Sequence, residues 1–127
     1  MNRTGLIAVI DDDVAVRSST KLLLRSLGYA VATFASADDF LNSNRHETLC
    51  VITDVRMQGM SGLDLQTRLR AEGDRTPVIF ITAFPEDGIR NRALADGAHG
   101  FLHKPYHEES LIDCLKSALA SAASTAT

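Results

Sequence analysis

Short apolar runs alternate along the chain with longer stretches in which apolar residues recur every three or four positions. Each run is short, mostly aliphatic or β-branched, and bounded by Gly, Pro or Asp, which is typical of strands. The five runs are residues 6–10, 30–34, 49–53, 78–81 and 100–102. Three of them show no alternation of polar with apolar residues. Such continuous apolar strands are expected in a parallel sheet that helices cover on both faces.

The stretches between and after the runs predict five helices. Ser36 and Ser61 precede acidic residues in the way that N-caps do, so the second and third helices begin there. Residues 86–96 predict the fourth helix, which Gly97 ends, as Gly28 ends the first. One apolar face predicts each of the other two helices: Val16, Leu23, Leu24 and Leu27 in the first, and Leu111, Leu115, Ala118 and Leu119 in the fifth.

This order, a strand and a helix repeated five times, predicts the fold class. Parallel strands joined by right-handed crossovers form either a barrel or an open sheet, and five units are too few for an eight-fold barrel. We predict an α/β fold with a doubly wound five-stranded parallel sheet, (βα)5 and flavodoxin-like, with strand order 2-1-3-4-5. The 127 residues suit one domain over residues 1–120, and residues 121–127 are interpreted as the start of a linker or a C-terminal tail.

Composition narrows the classes of function. The formal net charge of −3 gives no basic field for nucleic acid, so any DNA contact must come from a separate module. The apolar run at residues 6–10 is too short for a signal peptide or a membrane span, which favours a cytoplasmic protein without a membrane partner. Cys50 and Cys114 lie in apolar patterns, which indicates reduced, buried thiols.

Polar residues follow four of the five predicted strands. Because the carboxyl ends of parallel strands meet at one edge, Asp11, Asp12, Asp54, Thr82 and Lys104 are expected there together. Two carboxylates about 4 Å apart repel by about 4 kcal/mol at an effective dielectric constant of ~20, so the cluster needs either a cation or a shifted pKa, and a hard divalent cation meets this need. Oxygen ligands with room for water and a phosphate oxygen suit Mg²⁺ better than Zn²⁺.

These residue types also fit phosphoryl transfer. Asp54 is the candidate nucleophile, because a carboxylate can accept a phosphoryl group when a metal neutralises the approaching oxygens. Lys104 can pair with one phosphoryl oxygen, and the hydroxyl of Thr82 can donate to another. The small Ala83 leaves space beside them.

Four ordered motifs carry a resemblance to a known family: VIDDD, TDVRMQGMSG, FITAF and GFLHKPY. Together they resemble the receiver (phosphoacceptor) domain of bacterial two-component response regulators over nearly the whole chain. The chain is similar in particular to nitrogen-fixation-type transcriptional regulators, whose output module is a helix-turn-helix. The resemblance implies a signalling switch and not an enzyme that acts on an outside substrate.

The resemblance also implies a role for each residue of the acidic cluster. It implies that Asp54 accepts a phosphoryl group from a histidine kinase. It implies that Asp11 and Asp12 hold Mg²⁺ together with Asp54 and the backbone carbonyl of Arg56, with Asp12 as the more direct ligand.

The resemblance further implies how the phosphoryl group is read. Thr82 and Lys104 would bind it, Phe101 would be the aromatic switch, and Lys104–Pro105 would be a cis peptide. The face formed by helix four, strand five and helix five would then change, leading to homodimerisation or to release of a tethered DNA-binding domain.

Two positions depart from the family pattern. Gln58 stands where the family usually has proline, so the loop after Asp54 is expected to be less stiff. Phe84 and Pro85 place a bulky ring and a rigid turn near the phosphorylation site. Both departures are expected to tune the lifetime of the phosphate, in a direction that the sequence leaves open.

Other readings of the same residues remain. Asp13 is expected to cap helix one, and Phe101 is as well suited to the core as to a switch. A small haloacid-dehalogenase-like phosphohydrolase would use Asp11 and Asp13, but the short chain leaves little room for its cap. A flavin-binding module is disfavoured, because three acids would repel its phosphate.

The spacing of His99, His103 and His107 does not predict a metal cluster, because Gly100 and Pro105 interrupt any helix. These histidines are interpreted as surface residues.

Overall fold

The computed structural model describes residues 5–125, with side chains for residues 5–121. Strands and helices alternate through this range, and a single 3-10 turn, Arg45–Glu47, precedes the third strand. The strands are β1 (Leu6–Ile10), β2 (Val31–Phe34), β3 (Thr48–Asp54), β4 (Val78–Thr82) and β5 (Gly100–His103). The helices are α1 (Val14–Ser26), α2 (Ala37–Leu41), α3 (Gly62–Ala71), α4 (Asp87–Ala95) and α5 (Glu108–Thr125).

The five strands form one parallel sheet in the order β2-β1-β3-β4-β5. This order confirms the predicted doubly wound α/β fold. The register aligns the carboxyl ends of the inner strands, with Ile10 opposite Thr53 and Asp54 opposite Ile81. The residues that follow β1, β3, β4 and β5 therefore emerge at one edge of the sheet.

Two apolar layers cover the sheet, which explains why its strands lack polar alternation. Successive residues of a strand point to opposite faces, so Ile7 and Val9 lie in the layer that contains Leu24 and Leu115 of α1 and α5. Ile10 lies in the opposite layer with residues of α2, α3 and α4. Every residue of β4 is buried. A strand in this position has no solvent face, so its residues up to Ile81 are all apolar.

The predicted caps form as expected. The side chain of Asp13 accepts from the backbone N–H groups of Ala15 and Val16 at the start of α1. Ser36 and Ser61 cap α2 and α3 by accepting from the residue three positions later. These bonds satisfy backbone donors that the first turn of a helix leaves without a partner.

The first helix differs from its predicted apolar face. Leu24 is fully buried, but Leu27 is 45% exposed because α1 ends at Ser26, so its prediction as a core residue was wrong. Thr20, which the apolar pattern does not include, is buried, and its Oγ1 lies 2.7 Å from the hydroxyl oxygen of Tyr106. A hydroxyl that has a partner can occupy a core position that the hydrophobic pattern assigns to aliphatic residues.

The fifth helix runs to Thr125, so residues 121–125, which were interpreted as the start of a linker or a C-terminal tail, are helical. This segment is rich in alanine, which has the highest helix propensity, and the helix continues beyond its last large apolar residue, Leu119. Residues 126–127 and 1–4 lie outside the described residues, and the domain boundary at residue 120 stays a prediction. No helix within residues 5–125 combines the length and the apolar character needed to cross a membrane.

Both cysteines carry free thiols. Cys50 is fully buried and Cys114 is half-buried, in the layer between the sheet and α1 and α5. Burial raises the pKa of both thiols, so both stay protonated at neutral pH. They fill space in the core, as predicted, although the thiol of Cys114 is less enclosed than expected.

Candidate functional site

Lys104 joins two carboxylates at the carboxyl edge of the sheet. Its Nζ lies 2.7 Å from Oδ2 of Asp54 and 2.9 Å from Oδ2 of Asp11. Because these residues follow β5, end β3 and follow β1, the contacts exist only in the folded sheet. The structure thus brings together three residues that the strand-end argument had placed at one edge.

Asp12 completes a cluster of three carboxylates. Asp11, Asp12 and Asp54 each offer an oxygen atom, and these atoms all lie within 4.8 Å of one another. Asp11 is 3% exposed and Asp54 is 9% exposed, whereas Asp12 faces solvent. The cluster is therefore closed by the sheet on one side and open to an incoming ligand on the other.

The donor set fits a hard divalent cation. All three groups are carboxylates, and with the ammonium of Lys104 they leave two negative charges in excess. Unit charges 4.8 Å apart repel by about 3.5 kcal/mol at an effective dielectric constant of ~20, which a divalent cation between them would offset. Oxygen-only ligands with an exposed side suit Mg²⁺, which keeps several waters when it binds to proteins.

The charges of the cluster depend on one another. Burial raises the pKa of the Asp11 carboxyl, although hydrogen bonds from Lys104 and from the Asp13 backbone act against this. Burial acts to lower the pKa of Lys104, but its hydrogen bonds and charge contacts with Asp54 and Asp11 outweigh it, and the pKa is raised. Lys104 is therefore a stable cation inside the acidic cluster.

The backbone of Arg56, two residues after Asp54, contacts the carboxylate of Asp54. Its N–H donates to Oδ1 of Asp54 at 3.3 Å, so the start of the loop after β3 is tied to the carboxylate. The role of its carbonyl as a metal ligand stays a prediction. Gln58 is exposed in the same loop, next to Gly59, whose φ of +80° is a conformation that glycine adopts readily.

Thr82 ends β4 and is 1% exposed. Its Oγ1 accepts from the backbone N–H of Phe84 at 3.1 Å, which fixes the hydroxyl at the turn out of the strand. Its carbonyl accepts from the backbone N–H of Lys104 at 2.8 Å, which ties the ends of β4 and β5 together. Thr82 therefore sits on the same edge as the acidic cluster, with Ala83 exposed beside it.

Phe101 lies on β5, half-buried, and packs against the layer formed by α2, α3 and α4. Its ring centroid is 6.2 Å from that of Phe80, with the ring planes tilted by 47°. The ring thus contributes to the core and reaches the surface at the same time. Its role as a switch stays a prediction.

A contact that the sequence did not predict crosses the rim of the site. Arg56, after β3, forms an ion pair with Glu86, with Nη2 2.9 Å from Oε1. The guanidinium carbon of Arg56 also lies 5.5 Å from the ring centroid of Phe84, which is 60% exposed. Phe84 and Glu86 lie 28 and 30 positions after Arg56, and no helix or strand pattern relates residues at such distances. The bridge can therefore be seen only in the folded structure.

The remaining expectations concern Pro105 and the histidines. The Lys104–Pro105 peptide is cis, as the resemblance implied. His103 and His107 are exposed, but His99 is half-buried, and its Nε2 lies 3.0 Å from Oγ of Ser117. Within residues 5–125, the acidic cluster is the one group of three or more such residues that could hold a metal ion, and it includes no histidine.

A doubly wound sheet with three carboxylates, a threonine and a lysine at its carboxyl edge defines the class of receiver domains. The family described as "Response regulator receiver domain" matches residues 7–116. The chain belongs to this family. Receiver domains are signalling switches that interact with histidine kinases, bind Mg²⁺ at an acidic pocket and act on output domains.

Individual relatives agree with this assignment. The chain is 41% identical over 119 residues to Response regulator protein TodT of Pseudomonas putida, covering 93% of this chain and 52% of TodT. It is 36% identical over 123 residues to Transcriptional regulatory protein FixJ of Bradyrhizobium diazoefficiens, covering 96% of this chain and 60% of FixJ. The structure of response regulator StyR is similar, with a TM-score of 0.89 and 41% identity, covering 96% of this chain and 62% of that one.

These relatives decide between the readings that the sequence left open. The resemblance to receiver domains, including those of nitrogen-fixation-type regulators, is confirmed. The phosphohydrolase alternative is not supported by them. The chain spans about half the length of TodT and about three fifths of FixJ and StyR.

Proposed function

We propose that Asp54 accepts a phosphoryl group from a histidine kinase in a Mg²⁺-dependent reaction. The contact that supports this most directly is that of Lys104, whose Nζ lies between the carboxylates of Asp54 and Asp11. A phosphoacceptor needs a carboxylate that is reachable, partly desolvated and next to positive charge. Asp54 is 9% exposed, lies beside the exposed Asp12 and contacts Lys104, so it meets these conditions.

The proposed transfer moves one group between two atoms. A carboxylate oxygen of Asp54 forms the new bond to phosphorus. The bond from phosphorus to the donor, a histidine nitrogen of the kinase or an oxygen of an acyl phosphate, breaks, and the donor leaves with that electron pair. Asp11, Asp12, Asp54 and the carbonyl of Arg56 would hold Mg²⁺, which when bound neutralises charge on the phosphoryl oxygens.

Two further residues would bind the transferred group. The ammonium of Lys104 has three donors and uses two of them on Asp54 and Asp11, so one is left for a phosphoryl oxygen. The hydroxyl of Thr82 accepts from Phe84, and its own proton can be donated to another phosphoryl oxygen. Both residues would stabilise the phosphorylated form in preference to the unphosphorylated one.

The phosphorylated state would be read on the face formed by α4, β5 and α5. Thr82 would move toward the phosphate, and the ring of Phe101, which is half-buried beside α4, would turn inward. We propose phosphorylation-dependent homodimerisation on this face as the next step. The switch requires two conformations within a few kcal/mol of each other, which the phosphate then biases.

The output belongs to a part of the protein beyond the receiver domain. The matched region spans 52% of TodT and 60% of FixJ, and FixJ is named a transcriptional regulatory protein. With a net charge of −3, this chain offers no basic field of its own for DNA. We therefore propose transcriptional control in the cytoplasm through a separate DNA-binding domain.

Labelling with a small acyl phosphate in the presence of Mg²⁺ tests the proposal. We expect one phosphoryl group on Asp54, mapped by mass spectrometry after digestion, which the variant Asp54→Asn or a chelator abolishes. Asp113→Asn, which changes an exposed carboxylate on α5, is the matched control and should be labelled like the unmodified chain. A label on Asp11, or one that persists in Asp54→Asn, would refute the proposal.

A further inference from the structure

Arg17 reaches back from α1 to the start of the acidic cluster. Its Nη1 donates to the backbone carbonyl oxygen of Asp11 at 2.6 Å, across six residues of chain. Arg17 as a whole is half-buried, and its bond to Asp11 is partly shielded from water. A charge-assisted hydrogen bond in this setting is among the stronger contacts that a side chain makes with a backbone group.

The turn between β1 and α1 is held from several sides. The N–H of Asp11 donates to the carbonyl of Phe34 at 3.1 Å, and the N–H of Asp13 donates to Oδ1 of Asp11 at 2.9 Å. The N–H of Arg17 donates to the carbonyl of Asp13 at 3.0 Å. The guanidinium of Arg17 adds the bond to the Asp11 carbonyl, so both ends of the turn are fixed to one residue of α1.

Asp12 lies in the middle of this turn and is exposed. Among residues 5–121, whose side chains the structure describes, no hydrogen bond orients the Asp12 carboxylate. Its position in the cluster therefore follows from the backbone on either side. The direction of that backbone is set by the peptide plane between Asp11 and Asp12, whose carbonyl oxygen Arg17 holds. Arg17 is thereby linked to the placement of two of the three carboxylates.

We propose that Arg17 is a positioning residue for the divalent cation, which acts by fixing the turn that presents Asp11 and Asp12. This inference rests on the proposed function, because it assumes that the acidic cluster binds Mg²⁺. Residues that orient metal ligands without touching the metal typically change metal affinity by about 10- to 100-fold when they are replaced.

The charge of Arg17 has the opposite effect, which makes the inference testable. A guanidinium near the cluster repels Mg²⁺, so a role limited to charge predicts tighter Mg²⁺ binding when Arg17 is removed. Repulsion of this kind is screened over about 8 Å at physiological salt, whereas a displaced turn affects the ligands directly. We therefore expect the loss of positioning to outweigh the loss of repulsion.

Isothermal titration calorimetry with Mg²⁺ alone, at physiological salt, separates the loss of positioning from the loss of repulsion. We expect the dissociation constant to rise about tenfold in Arg17→Ala, the lower end of the range for such residues. Arg17→Lys, which keeps the charge but replaces the planar guanidinium by a shorter ammonium, should give an intermediate value. Arg25→Ala removes an exposed arginine from the last turn of the same helix and should leave the constant unchanged. An equal or lower constant in Arg17→Ala would overturn the inference.

A second readout uses the labelling of Asp54 by an acyl phosphate. In Arg17→Ala, the Mg²⁺ concentration for half-maximal rate should rise by the same factor as the dissociation constant, while the rate at saturating Mg²⁺ is retained. A lower saturated rate with an unchanged Mg²⁺ dependence would contradict a positioning role. If Arg17→Ala does not fold by circular dichroism, Arg17→Lys decides the question by the same two criteria.

The controls distinguish failure of this inference from failure of the proposed function. If the unmodified chain binds no Mg²⁺, or takes no phosphoryl group on Asp54, the proposed function fails and the inference fails with it. If the unmodified chain binds Mg²⁺ and is labelled, and Arg17→Ala matches it in both, the inference alone fails.

Discussion

Lys104 provides the positive charge that allows two enclosed carboxylates to face each other. The side chains of Asp11 and Asp54 are 4% and 11% exposed, and that of Lys104 is 16% exposed, so water screens these contacts only in part. Removal of one member of a buried charge pair is costly, because the remaining charge loses its compensation. At the scale of the residue, the two carboxylates therefore need a positive charge beside them, and a bound cation can supply it as well as Lys104.

The variant Lys104→Met tests this dependence. In the presence of a chelator, we expect the free energy of unfolding to fall by about 3 kcal/mol, because two carboxylates remain without their cation. Added Mg²⁺ should recover much of the loss by taking the place of the ammonium. Urea denaturation with and without Mg²⁺ measures both effects, and Lys116→Met on the exposed side of α5 is the control. A loss that is the same in both conditions would contradict this account.

Among the five helices, α4 buries the fewest residues. It buries a single residue, Ala93, and its N-cap residue, Glu86, makes no side-chain capping bond. Its polar contacts with α3 include an exposed ion pair between Arg92 and Asp64 at 3.2 Å, a type of contact that contributes little to stability. An element with so few buried contacts can change position at a small cost in free energy, which suits the face that is proposed to switch.

Gly88, in the first turn of α4, allows the stability of this helix to be changed without a new contact. A Cβ at Gly88 meets nothing within 4 Å, so Gly88→Ala should stabilise the folded state by about 0.4–1 kcal/mol, because the unfolded chain loses freedom. Gly73 has equally open surroundings but a φ of +80°, so Gly73→Ala should destabilise it. Urea denaturation, with amide hydrogen exchange of α4, measures the pair. A loss of stability in Gly88→Ala would show that the local backbone of α4 is not as described.

The two loops bridged by Arg56 act together as a second element at the rim of the site. Because Arg56 contacts both Glu86 and Phe84, the bridge joins the loop after Asp54 to the loop after Thr82. This geometry gives a direction to the effect that the sequence left open. The bridge should lengthen the lifetime of the phosphate by limiting the access of water.

Phe84→Ala removes the ring from this bridge and leaves the ion pair in place. We expect the phosphorylated chain to lose its phosphate about threefold faster, the change in rate that corresponds to a cation–π contact of about 0.5–1 kcal/mol. The decay is measured by mass spectrometry after removal of the acyl phosphate. Leu22→Ala, which truncates an exposed side chain on α1, should decay like the unmodified chain. A slower decay in Phe84→Ala would reverse the assigned direction.

At the scale of the whole molecule, the features that can be predicted from the sequence are those that the topology of the parallel sheet determines. Once the runs are identified as strands of a doubly wound sheet, Asp11, Asp54, Thr82 and Lys104 must meet at one edge, because the carboxyl ends of such strands share it. The caps of α1, α2 and α3 follow from local chemistry within three residues and are equally predictable. Both kinds of prediction depend on regular geometry, either of the sheet or of the helix turn.

Contacts between loops and between irregular positions could not be predicted in this way. The bond from Arg17 to the Asp11 carbonyl and the bridge from Arg56 to Glu86 depend on side-chain reach and loop path, which no periodicity records. The exposure of Leu27 depends on a helix end that shifts by one or two residues without a change in pattern.

The surface of α4 supports the last prediction, which concerns assembly. Leu94, in α4, is 44% exposed, and an exposed apolar side chain on a face that is proposed to switch can become part of an interface. We expect sedimentation experiments to show a mass that rises with concentration for the phosphorylated chain and a monomer for Asp54→Asn. Leu94→Asp should keep the labelling of Asp54 but prevent association, whereas Leu22→Asp, on the 68% exposed position of α1, should associate normally. Equal masses with and without phosphate would exclude a phosphorylation-dependent dimer of this domain, and the signal would then have to pass by a change within one chain.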